Sequence, residues 1–311
     1  MLPADLRTAE AELLTAVSAA LAKGGRARWT AELRFEGLRI LPVALRLTAA
    51  LQPRFSDLRL LCPDAGATAL AKRDAPDLAA SIASLGDLQR LQQADGGSDG
   101  VLLIAAPTPA DYDDVERTCG QHRGPVLLLN GRLEDAAVGI GTVARERRKG
   151  FLGEWQSAYA LIPTADGALR HAYPDDWCFY RRDPDGYRSL RSFSSKPDTE
   201  QLLLALEEAA KALEARIKGE ARAIRDKYVS PPHTTDFGIL FLPTEGLYAE
   251  ALRRPGLLEA LQREFKVMLA GPTTLLATLS SLQMGFRTLA LEKRSAEVWQ
   301  VLGAVKTEFG K

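Results

Sequence analysis

The sequence predicts a mixed α/β protein, and three observations carry that expectation. Two unbroken apolar runs, residues 101–106 (VLLIAA) and 125–129 (PVLLL), read as strands covered on both faces. Residues 109–119 between them read as a helix, and strand, helix, strand in that order implies a parallel pair with a right-handed crossover. Further on, aromatic-rich segments alternate with the turn sequences Thr164-Ala165-Asp166-Gly167 and Asp183-Pro184-Asp185-Gly186, which marks an antiparallel hairpin or small meander. Together they predict a Rossmann-like, three-layer parallel domain over residues 1–200 with an antiparallel hairpin appendage.

Taken in order, Leu2, Leu6, Leu13, Leu14, Val17 and Leu21 recur at helical spacing, and Gly24-Gly25 stops that helix. Trp29, Ala31, Leu33 and Phe35 alternate with Thr30, Glu32, Arg34 and Glu36, the pattern of a strand with one buried face. Pro42 suits the first turn of a helix reaching about Gln52, where its missing N–H costs nothing. Residues 57–62 form a short strand, Pro63-Asp64-Ala65-Gly66 ends it, and a small-residue helix occupies 67–72. One helix is expected over 76–91, before the polar loop 94–100. After the parallel pair a basic helix is expected over 142–152, then antiparallel segments at 155–162, 177–181 and 187–193. Residues 207–228 make a charged, alanine-rich helix with favourable pairs Glu207–Lys211 and Glu214–Lys218. Strands at 237–242 and 267–270 follow, with a Pro255-Gly256 break between them, and Pro272-Thr273 opens a long helix toward Trp299.

Composition bounds the function classes. The 311 residues carry 46% hydrophobic and 26% charged side chains, enough for two ordinary domains without covalent staples. Net charge is zero; residues from Glu207 onward hold 15 Lys and Arg against 13 Asp and Glu, and the rest 25 against 27. Neither part has the clustered cationic excess of an autonomous DNA-binding surface. Cys62, Cys119 and Cys178 stand far apart and the three histidines make no zinc-ligand spacing, so reduced thiols, a cytoplasmic setting and no metal or cofactor are expected. The N-terminus reads neither as a secretory signal nor as a transit peptide. No apolar run approaches membrane-spanning length.

Asp64 and Gly66 follow one strand of the parallel unit, and Asn130, Gly131 and Arg132 follow another. The carboxyl ends of parallel strands are where open α/β sheets bind ligands, so convergence of these loops would make a small anion pocket. The competing account is turn chemistry: Asp caps, Gly turns, Arg is solvated. Gly139-Ile140-Gly141-Thr142-Val143-Ala144 fits a G-x-G-x-x-A pattern. It stands nine residues beyond its strand, though, and a tight turn opening the basic helix (Arg145, Arg147, Arg148, Lys149) accounts for it better. Trp155, Tyr159, Trp177 and Tyr180 read as packing rather than as a base-stacking platform.

Two resemblances add to this reading. The blocks ELRFEGL (32–38), PDAGATALAKRD (63–74), LLNGRLEDAAVGIG (128–141) and DGYR (185–188) are similar to a cyanobacterial and chloroplast family. That family is classed as a domain of unknown function and is tied to photosystem II accumulation. The resemblance implies a protein-binding role in photosystem assembly and no known chemistry. From about Ala210, the stretches EARAIRDKYVSPPHTTDFGILFLPTEGLYAE, GPTTLLATLSSLQMGFRTLA and WQVLGAVKTEFGK resemble the RmuC family of DNA recombination proteins. This implies a PD-(D/E)xK-type nuclease core, of which residues 207–311 would be a partial βαβ segment. His233, Thr235, Asp236 and Glu245 lie nearest the implied centre, with Glu245 the catalytic candidate. Such a reaction needs several carboxylates on Mg²⁺ and a lysine, and the D-x-K strand that supplies them is not found upstream. The expected whole is therefore a non-catalytic binding or assembly factor with a protein partner. The alternatives are an RmuC-type, Mg-dependent nuclease acting on DNA, and a gene fusion, with its seam at 202–208, that has no integrated function.

Overall fold

The computed structural model of the chain describes residues 1–95, 99–134 and 150–309. The chain is mixed α/β and about half helical. It divides into two compact units, Met1–Arg182 with Tyr187–Leu203, and Asp183–Gly186 with Leu204–Lys311. Among the described residues no helix is long and apolar enough to cross a membrane.

In the first unit, α1 (Leu6–Leu21) starts at Asp5, whose carboxylate accepts from the Thr8 N–H at 2.7 Å. Past its end, Gly24 and Gly25 take φ of 66° and 64°, a region glycine enters without a Cβ clash. Then come β1 (Arg28–Leu33), α2 (Ile40–Leu51), β2 (Leu58–Cys62), α3 (Ala65–Asp74), β3 (Ile82–Ser84), α4 (Leu85–Asp95), β4 (Val101–Ala105), α5 (Tyr112–Gln121) and β5 (Val126–Leu129). Strands β6 (Trp155–Thr164), β7 (Gly167–Ala172), β8 (Trp177–Asp183) and β9 (Gly186–Phe193) complete the series.

Among the described residues nine strands form one sheet, in the order β3-β2-β4-β5-β1-β6-β7-β8-β9. The pairs from β3 to β6 are parallel, and β6, β7 and β8 run antiparallel to one another. The antiparallel strands thus continue the main sheet rather than standing apart as an appendage. Strand β6 pairs in parallel with β1, Arg28 opposite Trp155 and Leu33 opposite Leu161, and so covers an edge that would otherwise offer unpaired backbone groups.

Three local expectations need correction. The single helix over 76–91 is instead a 3₁₀ turn (Pro76–Ser81), strand β3 and helix α4. Leu78, Ile82 and Leu85 fall at helical intervals, but Ser84 restarts the chain: its hydroxyl accepts from the Asp87 N–H at 3.1 Å and meets the Asp87 carboxylate at 2.7 Å. Strand β7 goes unannounced in the sequence; a Cβ on Gly167 would fall 1.8 Å from the Tyr180 carbonyl oxygen, so this close strand approach needs glycine. Strand β1 ends at Leu33, leaving Phe35 outside the buried set. The basic helix and the glycine motif at 139–144 lie, up to residue 149, outside the described residues; 151–154 is a short 3₁₀ turn.

Helices α1, α2 and α3 cover one face of the sheet around Leu13, Val17, Trp29, Leu60 and Tyr159. Helices α4 and α5 cover the other around Leu61, Leu102, Ile104 and Tyr112. Each such leucine contributes about 1.5–3 kcal/mol. Trp177 and Tyr180 are buried too, the packing role expected of them.

The second unit holds most of α6 (Thr199–Tyr228), then β10 (Gly238–Phe241), α7 (Glu245–Leu252), α8 (Leu257–Ala260), β11 (Val267–Ala270) and α9 (Pro272–Phe309). Strands β10 and β11 pair in parallel, Gly238 opposite Val267. The core is one small cluster that includes Ile217, Leu242, Leu257, Leu261, Phe265 and Val267. The pairs Glu207–Lys211 and Glu214–Lys218 are in place on α6, each at 2.7 Å.

Candidate functional site

The carboxyl ends of the parallel strands in the first unit bring most of the predicted residues to one edge of the sheet. Asp64 caps α3: its side chain accepts from the Ala67 N–H at 2.8 Å and its carbonyl from the Thr68 hydroxyl at 2.7 Å. Gly66 sits in the turn that follows, where a Cβ would lie 3.1 Å from the Asp64 carboxylate. Asn130 takes φ of 52°, a conformation Asn tolerates better than most residues. From there its amide copies a strand residue. The Leu33 N–H donates to its Oδ1 at 2.6 Å, and its Nδ2 donates to the Leu33 carbonyl at 2.7 Å. Arg132 is exposed, and its N–H donates to the Pro107 carbonyl at 2.9 Å. Because β4 stands between β2 and β5, the two predicted loops are about 10 Å apart, two strand spacings. Asp64 and Asn130 are each engaged with local backbone.

The border between β5 and β1 is where the connections diverge. The chain leaves β1 for α2 on the α1–α3 face, whereas Leu133, just after β5, is buried with the α4–α5 cluster. Such a divergence is the usual ligand position of an open α/β sheet. Here the Asn130–Leu33 pair closes it. The open space lies one strand further, at the carboxyl ends of β1 and β6: a cleft of about 480 Å³ lined by Leu2, Leu6, Phe35, Leu38, Leu161 and Tyr187, with Asp5 and Glu36 also on its wall. Phe35 is 41% exposed, Tyr187 50% and Leu6 39%. A concave apolar surface with a few polar groups is what a small ligand or a partner's side chain requires.

A charged network braces the same strand end. The largely buried Glu32 carboxylate receives Arg34 Nη2 and Lys196 Nζ, both at 2.9 Å. Burial pushes the Glu32 pKa up, but Lys196 and Arg34 outweigh it and hold the carboxyl below its ordinary value. Arg34 also donates to the Gly131 carbonyl at 2.9 Å, linking the β1 and β5 ends. Neither the cleft nor this network is among the predicted site residues. Lys196 stands 164 positions from Glu32, and Phe35 reads in sequence as one more buried member of the β1 alternation. Elsewhere in the unit, burial pushes the Cys119 thiol up to about 12 and raises that of Cys62, so both stay protonated.

In the second unit Glu245 opens α7, after Thr244, whose hydroxyl accepts from the Leu247 N–H at 3.2 Å. The Glu245 carboxylate accepts from the Thr273 N–H at 2.8 Å, in the first turn of α9. One acid thus serves two helix N-termini, where negative charge is favoured. The Thr235 hydroxyl donates to the Phe237 carbonyl at 2.7 Å, the His233 N–H donates to the Ser230 carbonyl at 3.0 Å, and Asp236 is exposed. Among the described residues no group of three or more His, Cys, Asp or Glu side chains is placed to hold a metal ion.

Comparison with known proteins finds two family models that match this chain. The family model described as a domain of unknown function (DUF1995) matches residues 3–204, and that of the RmuC family matches residues 188–311. The first match covers well over half of the molecule: the chain belongs to the DUF1995 family, and its C-terminal residues are similar to the RmuC family. Two curated relatives, DNA recombination protein RmuC homologs of Xylella fastidiosa strains Temecula1 and 9a5c, are each 62% identical over 124 residues. That stretch is 37% of this chain and 27% of each relative, so the chain spans about a quarter of the length of the curated relatives it matches. No solved structure matches.

Proposed function

We propose that the chain is a non-catalytic, cytoplasmic binding and assembly factor whose DUF1995 unit, over about residues 1–200, holds a protein partner in the cleft at the β1 and β6 ends. One observation carries this reading: Leu6, Phe35 and Tyr187 remain well exposed together around one apolar cleft, whereas the other exposed large apolar side chains described in the unit, Met1, Leu70 and Leu203, stand outside its lining. Asp5 and Glu36 on the wall favour an apolar side chain flanked by a basic one. The resemblance of the unit to a photosystem-linked family favours a photosystem assembly component as that partner. On this reading the parallel strands are a Rossmann-like three-layer core, and Asp64, Gly66, Asn130 and Arg132 shape loops rather than bind an anion. The test is capture of photosystem assembly intermediates by the tagged full-length chain. Enrichment over a control bait, lost in Phe35→Asp/Tyr187→Asp, supports the role; equal recovery with the control contradicts it.

A second reading rests on the Xylella relatives, which are named DNA recombination proteins. Residues 207–311 would then be part of a PD-(D/E)xK core working on DNA with Mg²⁺. The capping of α9 by Glu245 gives that acid a structural task instead. Mg²⁺-dependent cleavage of linear DNA, abolished by Glu245→Ala, would establish the nuclease. The two family matches overlap at residues 188–204, which supports a fusion of two gene pieces; amplification of source DNA across codons 202–208 tests it.

A further inference from the structure

His122 stands at the turn between α5 and β5, fully buried, and its ring makes one hydrogen bond among the described residues. Nε2 lies 2.8 Å from the Gly100 carbonyl, just before β4. A carbonyl only accepts, so Nε2 carries a proton and Nδ1 of the neutral ring is bare. Nδ1 is sealed from water and unpaired among the described residues. A second proton would therefore sit on Nδ1 with no acceptor beside it and no water to solvate the charge.

Several strands begin around this ring. The Val101 N–H donates to the Asp57 carbonyl at 2.8 Å, the Leu102 N–H to that of Pro125 at 3.1 Å, and the Val126 N–H to that of Ala27 at 2.9 Å. The leads into β1, β2, β4 and β5 thus meet, and they meet closely. A Cβ on Gly100 would strike the Asp57 carbonyl, and one on Gly124 the carbonyls of Asp99 and Gly100. The His122 ring joins the lead into β5 to the lead into β4. Arg28 of β1, itself buried, donates to the carbonyls of Cys119, Gly124 and His122 at 2.7, 3.1 and 3.4 Å, and so sets one cation against any second. Asp57 and Asp99 favour a charged ring, but both are exposed and water screens them. On α5 the Cys119 thiol stays protonated, and Arg123, next along the chain, is exposed. Burial, with Arg28 behind it, outweighs the Gly100 bond and the two carboxylates and holds the imidazole below its ordinary pKa.

We propose that His122 is an acid-sensitive latch: the neutral ring fastens these strand leads together, and its protonation unfastens them and weakens the first unit. Neither the partner-binding cleft nor the nuclease reading enters this inference. In the unfolded chain a histidine takes its proton near about pH 6.5, whereas the folded site takes it only at lower pH. The latch is therefore complete above about pH 6.5 and is lost as pH falls through the folded value. Urea unfolding of the full chain from about pH 8 to about pH 5 tests it. Tryptophan fluorescence follows chiefly the first unit, which holds Trp29, Trp155 and Trp177. His122→Gln keeps a side-chain N–H for Gly100 and takes no proton. Below about pH 6.5 the parent's unfolding constant should climb more steeply than that of His122→Gln, by up to about tenfold per pH unit, the signature of one extra proton. His233→Gln, in an exposed loop of the second unit, should follow the parent. Equal pH slopes for the parent and His122→Gln overturn the proposal, as does the same flattening in His233→Gln. Where His122→Gln does not fold, the ring NMR signals of His122 in the folded parent decide. A titration midpoint below about 6.5 supports the latch, and one at or above it overturns the proposal.

Discussion

In the first unit helices cover both faces of the parallel strands of the sheet, and Trp29, Leu60, Leu103 and Tyr159 are sealed from water. In the second, two strands and one small cluster serve the whole core, and Trp299 is 71% exposed on a 38-residue helix. Both are built from parallel strands joined by helices, so the difference lies in coverage. A sheet packed on both sides returns enough buried area to offset its ordering entropy. A two-stranded sheet beside a largely uncovered helix returns much less. The first unit therefore buries most of its apolar side chains within itself, and the second leaves those of α9 largely exposed.

The sharpest way to break this comparison is a pair of tryptophan truncations. Trp29→Ala should cost about 3–5 kcal/mol in denaturant unfolding of the first unit. In the dilute chain, Trp299→Ala should change stability by less than ~0.5 kcal/mol. Comparable losses would mean that α9 is packed as well as β1. Next in size, Asn130→Ala removes two backbone hydrogen bonds at a left-handed position and should cost about 2 kcal/mol, against ~1 kcal/mol for Asp64→Ala at an ordinary cap. Glu245→Gln should lower the second unit's stability by ~0.3–1 kcal/mol, read from its thermal transition.

The smallest effect is one of pH. The folded-state pKa of Glu32 lies below its unfolded value, so its contribution is complete above the unfolded pKa and is lost as pH falls through the folded one. Stability measured across the acid range should fall less steeply in Glu32→Gln than in the parent. An identical slope would mean that Lys196 and Arg34 leave this carboxyl unperturbed.

Much of the fold was legible because its strands obey local rules. The runs at 101–105 and 126–129 are apolar throughout, since β4 and β5 are covered on both faces. Strand β3 was hidden because three residues cannot establish a period of two. Strand β7 was hidden because Gly167 and Ala168 look like the tail of a turn. The site was less legible for a different reason. Asp64 and Asn130 announce themselves as turn residues, and hydrogen bonding to local backbone is what the structure gives them. The cleft depends on Phe35 falling just past the end of β1 and on Tyr187 arriving 152 positions later, a meeting that only the strand order creates. In α9 the apolar side chains were present in the sequence, but their exposure depends on what the rest of the chain fails to cover.

Native-state hydrogen exchange across the full chain tests the contrast between the units most directly, because it reads local opening in both at once. The account predicts that amides of β1, β4 and β5 exchange only through global unfolding. Those of α9 between Leu276 and Leu302 should exchange far faster. Amides of α9 as protected as those of β4 in the dilute chain would contradict it.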